Sequence, residues 1–133
     1  MNELKDKSEL NMSAAEKMFE CSYYDSVCHS AYYACLQLMS HKLIRKGVGL
    51  DRQWSIASSQ YGGNSHKALL SEIKKHLRIS DYKDEKRYKN NILKLKEMRE
   101  RSDYKLFRIS KEESENCINM AKFVIGIINT IRT

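Results

Sequence analysis

A chain of 133 residues with no proline and only five glycines has few means of turning sharply. A β-sandwich of this length needs many tight turns, and tight turns draw on Gly and Pro. A doubly wound sheet needs phosphate-loop glycines and strands rich in β-branched residues, yet only three valines are present. Helices remain. The hydrophobic share of 41% against 31% charged residues is that of a soluble globular chain, not a disordered one. The length supplies one core, so residues 1–133 are expected to form a single domain.

Five helical stretches follow from the spacing of apolar residues. The first covers about Ser8 to Glu20, with Leu10, Ala14, Met18 and Cys21 in step. The second runs from about Tyr23 to Lys46 and ends at Gly47. The third starts near Ser65 and carries Ala68, Leu69, Ile73 and Leu77. The fourth, about Asp84 to Arg101, aligns Ile92, Leu95 and Met98. Ser110 with Glu113 three residues on has capping-box spacing and opens the fifth, whose apolar stripe runs from Cys117 to Ile128. Each stripe needs a partner, and an all-α, up-and-down bundle of four to five helices provides it. Between the second and third helices, Gly47 to Asn64 reads as a long Gly-rich loop holding four of the five glycines and the only tryptophan. Trp54 is expected to cap the core; the alternative is that Trp54 and Tyr61 stack on a base or a partner.

Met1 to Asn11 is charged and lacks the apolar run of a signal peptide. Phe123 to Ile131 is the longest apolar stretch, well short of the roughly 20 residues a membrane span needs. No membrane role and a cytoplasmic location are therefore expected. The four cysteines are then reduced thiols. Cys21, Cys28 and Cys35 recur every seven residues, as small apolar side chains on a packing seam do, and neither a metal site nor a cofactor is expected.

Charge is distributed unevenly. Lys67 to Arg108 holds 14 basic residues against 7 acidic, whereas the remainder of the chain is balanced at 10 and 10. The whole excess of +7 falls on the third and fourth helices and the connection after them. Such a face attracts phosphate or an acidic partner. Within it, Lys74 and Lys75 lie on the third helix with Arg78 at its end, and Arg99, Arg101 and Asp103 end the fourth, beside Tyr104. Two arginines next to an Asp-Tyr pair suit a phosphate clamp with an orienting carboxylate; a salt bridge tying the helix end to the bundle is the plainer use of the same residues. His66 lies in the first turn of the third helix, where free backbone N–H groups disfavour its protonation. His29, His41 and His76 read as ordinary surface or packing residues.

AYYACLQLMSHKLIRKG (Ala31 to Gly47), then Ser65-His66 opening a helix, then MRERSDY (Met98 to Tyr104), then a capped helix with Ala121-Lys122-Phe123 occur in that order. Together they resemble the HEPN family, small helical-bundle proteins named for nucleotide binding in higher eukaryotes and prokaryotes. Many of these are metal-independent ribonucleases, often toxins or anti-phage effectors, with an Arg-x(4–6)-His motif and a site formed on dimerisation. In that chemistry the arginine holds the scissile phosphate and the histidine helps move the 2′-hydroxyl proton. Arg99 matches the arginine; Tyr104 stands where the histidine belongs, and no histidine follows Arg99. With an ordinary pKa near 10, an unaided tyrosine is a poor base at neutral pH.

The resemblance therefore implies two functions. The expected one is binding of RNA or a nucleotide through the basic face (Arg99, Arg101, Asp103, Lys74, Lys75 and Arg78), as a module of a defence or toxin–antitoxin type system. The alternative is a metal-independent endoribonuclease in which Arg99 and Tyr104 work with His66. It also implies a homodimer and, as a protein partner, a nucleotidyltransferase-type chain.

Overall fold

The computed structural model describes residues 2–104 and 107–132. Lys105, counted in the basic stretch, lies outside the described residues. Within them are six helices and no strand: α1 (Glu3–Glu20), α2 (Tyr24–Arg45), α3 (Leu50–Gln60), α4 (Ser65–Lys74), α5 (Tyr82–Asp103) and α6 (Lys111–Ile128).

α2 is the central helix, and α1, α4, α5 and α6 all pack on it. Its sequence explains why. Cys28, Ala31, Ala34 and Cys35 are small and fully buried, which lets neighbouring backbones approach, while Val27, Tyr32, Met39 and Leu43 fill the space between. The other helices each contribute a stripe to the same core, among them Ile73 of α4, Leu95 and Met98 of α5, and Val124 and Ile128 of α6. Buried Ser8 donates to the Ala34 carbonyl at 2.6 Å, fixing the α1–α2 pair. Two of the three regularly spaced cysteines sit on the α2–α6 seam. The Cys35 thiol donates to the Ala121 carbonyl at 3.8 Å, and burial pushes it up to about 12. Cys117 is likewise held protonated, by its hydrogen bond with Cys28 and by burial. Cys21 is exposed at the α1–α2 turn.

The capping box at Ser110 and Glu113 forms as its spacing implies, each side chain bonding the other's backbone N–H. Asp25 near the start of α2 accepts the Ile109 N–H at 2.7 Å and pairs with Arg108 at 3.2 Å, securing the entry to α6.

The expected loop is corrected, and with it the expected count of four to five helices: most of Gly47 to Asn64 is α3. The glycines flank this segment instead of interrupting it. Gly47, at φ +89°, ends α2 in a Schellman-type turn in which the Val48 N–H bonds the Leu43 carbonyl. Gly62 and Gly63, both at positive φ, end α3. The eleven residues between Gly49 and Tyr61 contain neither Gly nor Pro. α3 is pinned to α2 by one side chain: Gln53 accepts from the Ser40 hydroxyl at 2.7 Å and donates to the carbonyls of Ser40 and Val48. Trp54 does not cap the core; it is 61% exposed.

Candidate functional site

The C-terminal end of α5, the N-terminal half of α2 and the start of α4 meet at one cluster. Arg99 lies on the α2-facing side of α5, its side chain only 18% exposed. Its guanidinium carbon stands 5.5 Å from the centre of the Tyr32 ring. One amino group donates to Asp103 Oδ2 at 3.3 Å, one helical turn on. The bond is monodentate, so most of a five-donor fork is left uncommitted, and the buried Nε has no hydrogen-bond partner among the described residues. The Tyr32 hydroxyl is equally buried and equally unpartnered. Buried polar atoms in native folds are nearly always paired, and exceptions gather where a function needs them.

Two histidines flank the arginine. His29 Nδ1 lies 3.3 Å from Asp103 Oδ1, so this carboxylate contacts Arg99 and His29 with its two oxygens and joins the end of α5 to α2. His66, placed by the Asn64 cap of α4, sits edge-on to both Tyr32 and Tyr33 at centroid separations of 5.7 and 5.6 Å. Tyr33 in turn packs on His29 at 4.6 Å. Burial, then the positive charges of Arg99 and Lys96, hold the His66 imidazole below its usual pKa, so it is neutral at pH 7. Burial pushes the Tyr32 hydroxyl up to about 12, against the opposing pull of Arg99, so it stays protonated. The cluster thus combines a cation with free donors, a neutral imidazole and a carboxylate-oriented second imidazole. Such a set can hold an anion and could exchange protons with it.

The HEPN domain profile matches residues 1–131. The chain belongs to the HEPN family. Neither the curated proteins nor the solved structures give a match. No helix among the described residues is long and apolar enough to cross a membrane.

In this HEPN domain the residues singled out from sequence are distributed over several places. Arg99, Asp103 and His66 come together, the last by the folding of α4 beside the end of α5. Tyr104 is 65% exposed, and its ring stacks on none of the cluster. Arg101 points to the other side of α5, where it bonds Glu113 at 3.1 Å and fastens α5 to α6, the plainer salt-bridge role. Lys75 pairs with Glu72 at 2.7 Å. Lys74 and Arg78 line a separate groove of about 600 Å³ between α4 and the first half of α5, with Lys89 across from them and Leu70, Ile92 and Leu93 on its walls. Lys74 in that groove lies about 12 Å along the α4 axis from His66, given the rise of 1.5 Å per residue.

His29, which read from sequence as an ordinary surface or packing residue, joins the cluster, as do Tyr32 and Tyr33, to which the sequence assigned no role in the site. The signal was the tyrosine pair: neighbours on a helix point about 100° apart, and here Tyr32 goes to the core while Tyr33 stays half-buried at the surface. His29 lies one turn from Tyr33, on the same face.

Proposed function

We propose that this HEPN domain binds RNA by seating a backbone phosphate against Arg99, with the strand continuing over the cations of α4 and α5. The observation that carries the reading is the incompletely bonded guanidinium of Arg99, oriented by the Tyr32 ring and Asp103 and bordered by neutral His66. Arginine's fixed fork of donors suits phosphate, and bonds to an ionised oxygen are its strongest. Lys96 adds charge beside His66, while Lys74, Arg78 and Lys89 lie within reach of neighbouring phosphates. A free nucleotide offers the same phosphate chemistry but cannot span the two places. Family membership suggests a homodimer, a nucleotidyltransferase-type partner and a role in a defence or toxin–antitoxin type system as the setting for such a module.

Two observations favour a second reading, a metal-independent ribonuclease. His66 is held neutral beside Arg99 and is therefore able to accept a proton, and His29 is oriented by Asp103 as acid–base histidines are. In that reading the histidine absent after Arg99 is supplied by α4, and Tyr104 is not needed.

Metal-free incubation of the protein with total cellular RNA and tRNA separates the two, run beside Arg99→Ala and His66→Ala. Intact RNA whose mobility is retarded, with the shift abolished by salt and by Arg99→Ala, is the expected result. Cleavage lost in both variants would assign the ribonuclease. Intact RNA with no shift would overturn both readings.

A further inference from the structure

We propose that a pocket between α2, α3 and α4 receives one unpaired base of the RNA whose phosphate Arg99 holds, so that the ligand is single-stranded. This rests on the phosphate-binding reading above. The pocket measures about 190 Å³ and is lined by Tyr33, Leu36, Leu50, Trp54, His66 and Leu69 among others. Pockets that enclose a whole small ligand run to roughly 300–1,000 Å³, so this one takes a flat ring and leaves the sugar and phosphate outside. Tyr33 and His66 belong both to the pocket wall and to the Arg99 cluster. A base lodged in the pocket is therefore attached to a backbone that passes the guanidinium.

Trp54 is the stacking face. It is the only tryptophan of the chain and is 61% exposed. Its helix is held in place by the three bonds of neighbouring Gln53, so the indole is a positioned platform and not part of a loop. Several of the polar side chains around the pocket are already engaged. Ser40 and Gln53 bond each other, Gln37 accepts from Asn11, and Glu72 pairs with Lys75. The Gln37 amide keeps its NH2 group free, but stacking on the indole is open to any base. Double-stranded RNA, with its bases stacked and paired, cannot enter.

Trp54 fluorescence reports the contact directly. The probes are a uridine hexamer, an abasic oligomer of the same length and a short RNA duplex. The hexamer is expected to quench the emission, while the abasic oligomer binds without quenching. Trp54→Ala should weaken hexamer binding about 5- to 150-fold, the range that about 1–3 kcal/mol of stacking corresponds to. The same variant should leave abasic binding unchanged, and Trp54→Phe should restore part of the loss. The duplex should bind no better than the abasic oligomer. Hexamer binding that neither quenches Trp54 nor weakens in Trp54→Ala would overturn the base pocket and leave the phosphate site standing. Failure of both hexamer and abasic oligomer to bind would overturn the phosphate site, and the pocket with it.

Discussion

Tyr32→Phe should make this protein more stable. The ring is fully buried and carries a hydroxyl with no hydrogen-bond partner among the described residues. Burial holds that hydroxyl protonated up to about 12, so it is neutral under every ordinary condition. A buried polar group left unpaired costs about 1–3 kcal/mol. Phenylalanine keeps the ring, its packing against His66 and Tyr33 and its face toward Arg99, and removes only the orphaned oxygen. The small space left by the oxygen takes back part of the gain, so a net increase of about 1 kcal/mol is expected. For a domain of this length that is a rise in Tm of roughly 3–5 °C. Urea denaturation is the cleaner assay: the midpoint should move up with the m-value unchanged. A loss of 1 kcal/mol or more would refute the reasoning, because the hydroxyl would then have a partner in the native protein.

Three other substitutions or conditions separate the site from its surroundings. Arg101→Ala removes a partly exposed pair with Glu113, so it should cost at most about 1 kcal/mol in urea denaturation and leave RNA affinity nearly unchanged. Tyr104→Phe should alter neither RNA binding nor the urea midpoint, since its ring is exposed and apart from the cluster; a tenfold loss of binding would place it in the site. Stability should fall as pH drops from about 7.5 toward 5.5. His66 and His41 are both held below their usual pKa, chiefly by burial, so the unfolded chain takes up protons first as pH passes the ordinary value near 6.5. Neither contributes above that value, and the loss is complete below their folded pKa values. His66→Gln and His41→Gln should each flatten the urea midpoint's dependence on pH in this window, and an unchanged dependence in both would contradict it.

The helical class was legible because missing turn residues and apolar periodicity are properties of the chain itself. The starts of α4 and α6 were legible because Asn64-Ser65 and Ser110 carry local capping signals, whereas the end of α4 at Lys74, short of Leu77, was not. α3 was not, since four glycines in eighteen residues read as a loop when counted together, and only their clustering at 47–49 and 62–63 leaves room for a helix. The site was legible in part. Arg99, Asp103 and His66 carry their chemistry openly, but His29 and His66 reach Arg99 only through the packing of α2 and α4 against α5, a long-range outcome that spacing does not encode. Arg101 and Tyr104 illustrate the reverse: adjacency to Arg99 and Asp103 in sequence turns a side chain 100° or more away on a helix.

The central claim is that Arg99 holds a phosphate of RNA, and the most direct measurement is the affinity of a short single-stranded oligoribonucleotide for wild type and Arg99→Ala across a salt series. Far-UV circular dichroism and the urea midpoint should show the variant folded, because the pair with half-exposed Asp103 is worth at most about 1 kcal/mol. Affinity should fall about 10- to 150-fold, the equivalent of about 1.5–3 kcal/mol for hydrogen bonds to a charged oxygen. The slope of log K against log salt should lose about one phosphate's worth. A folded Arg99→Ala protein that binds RNA as tightly, and with the same salt slope, would contradict the account.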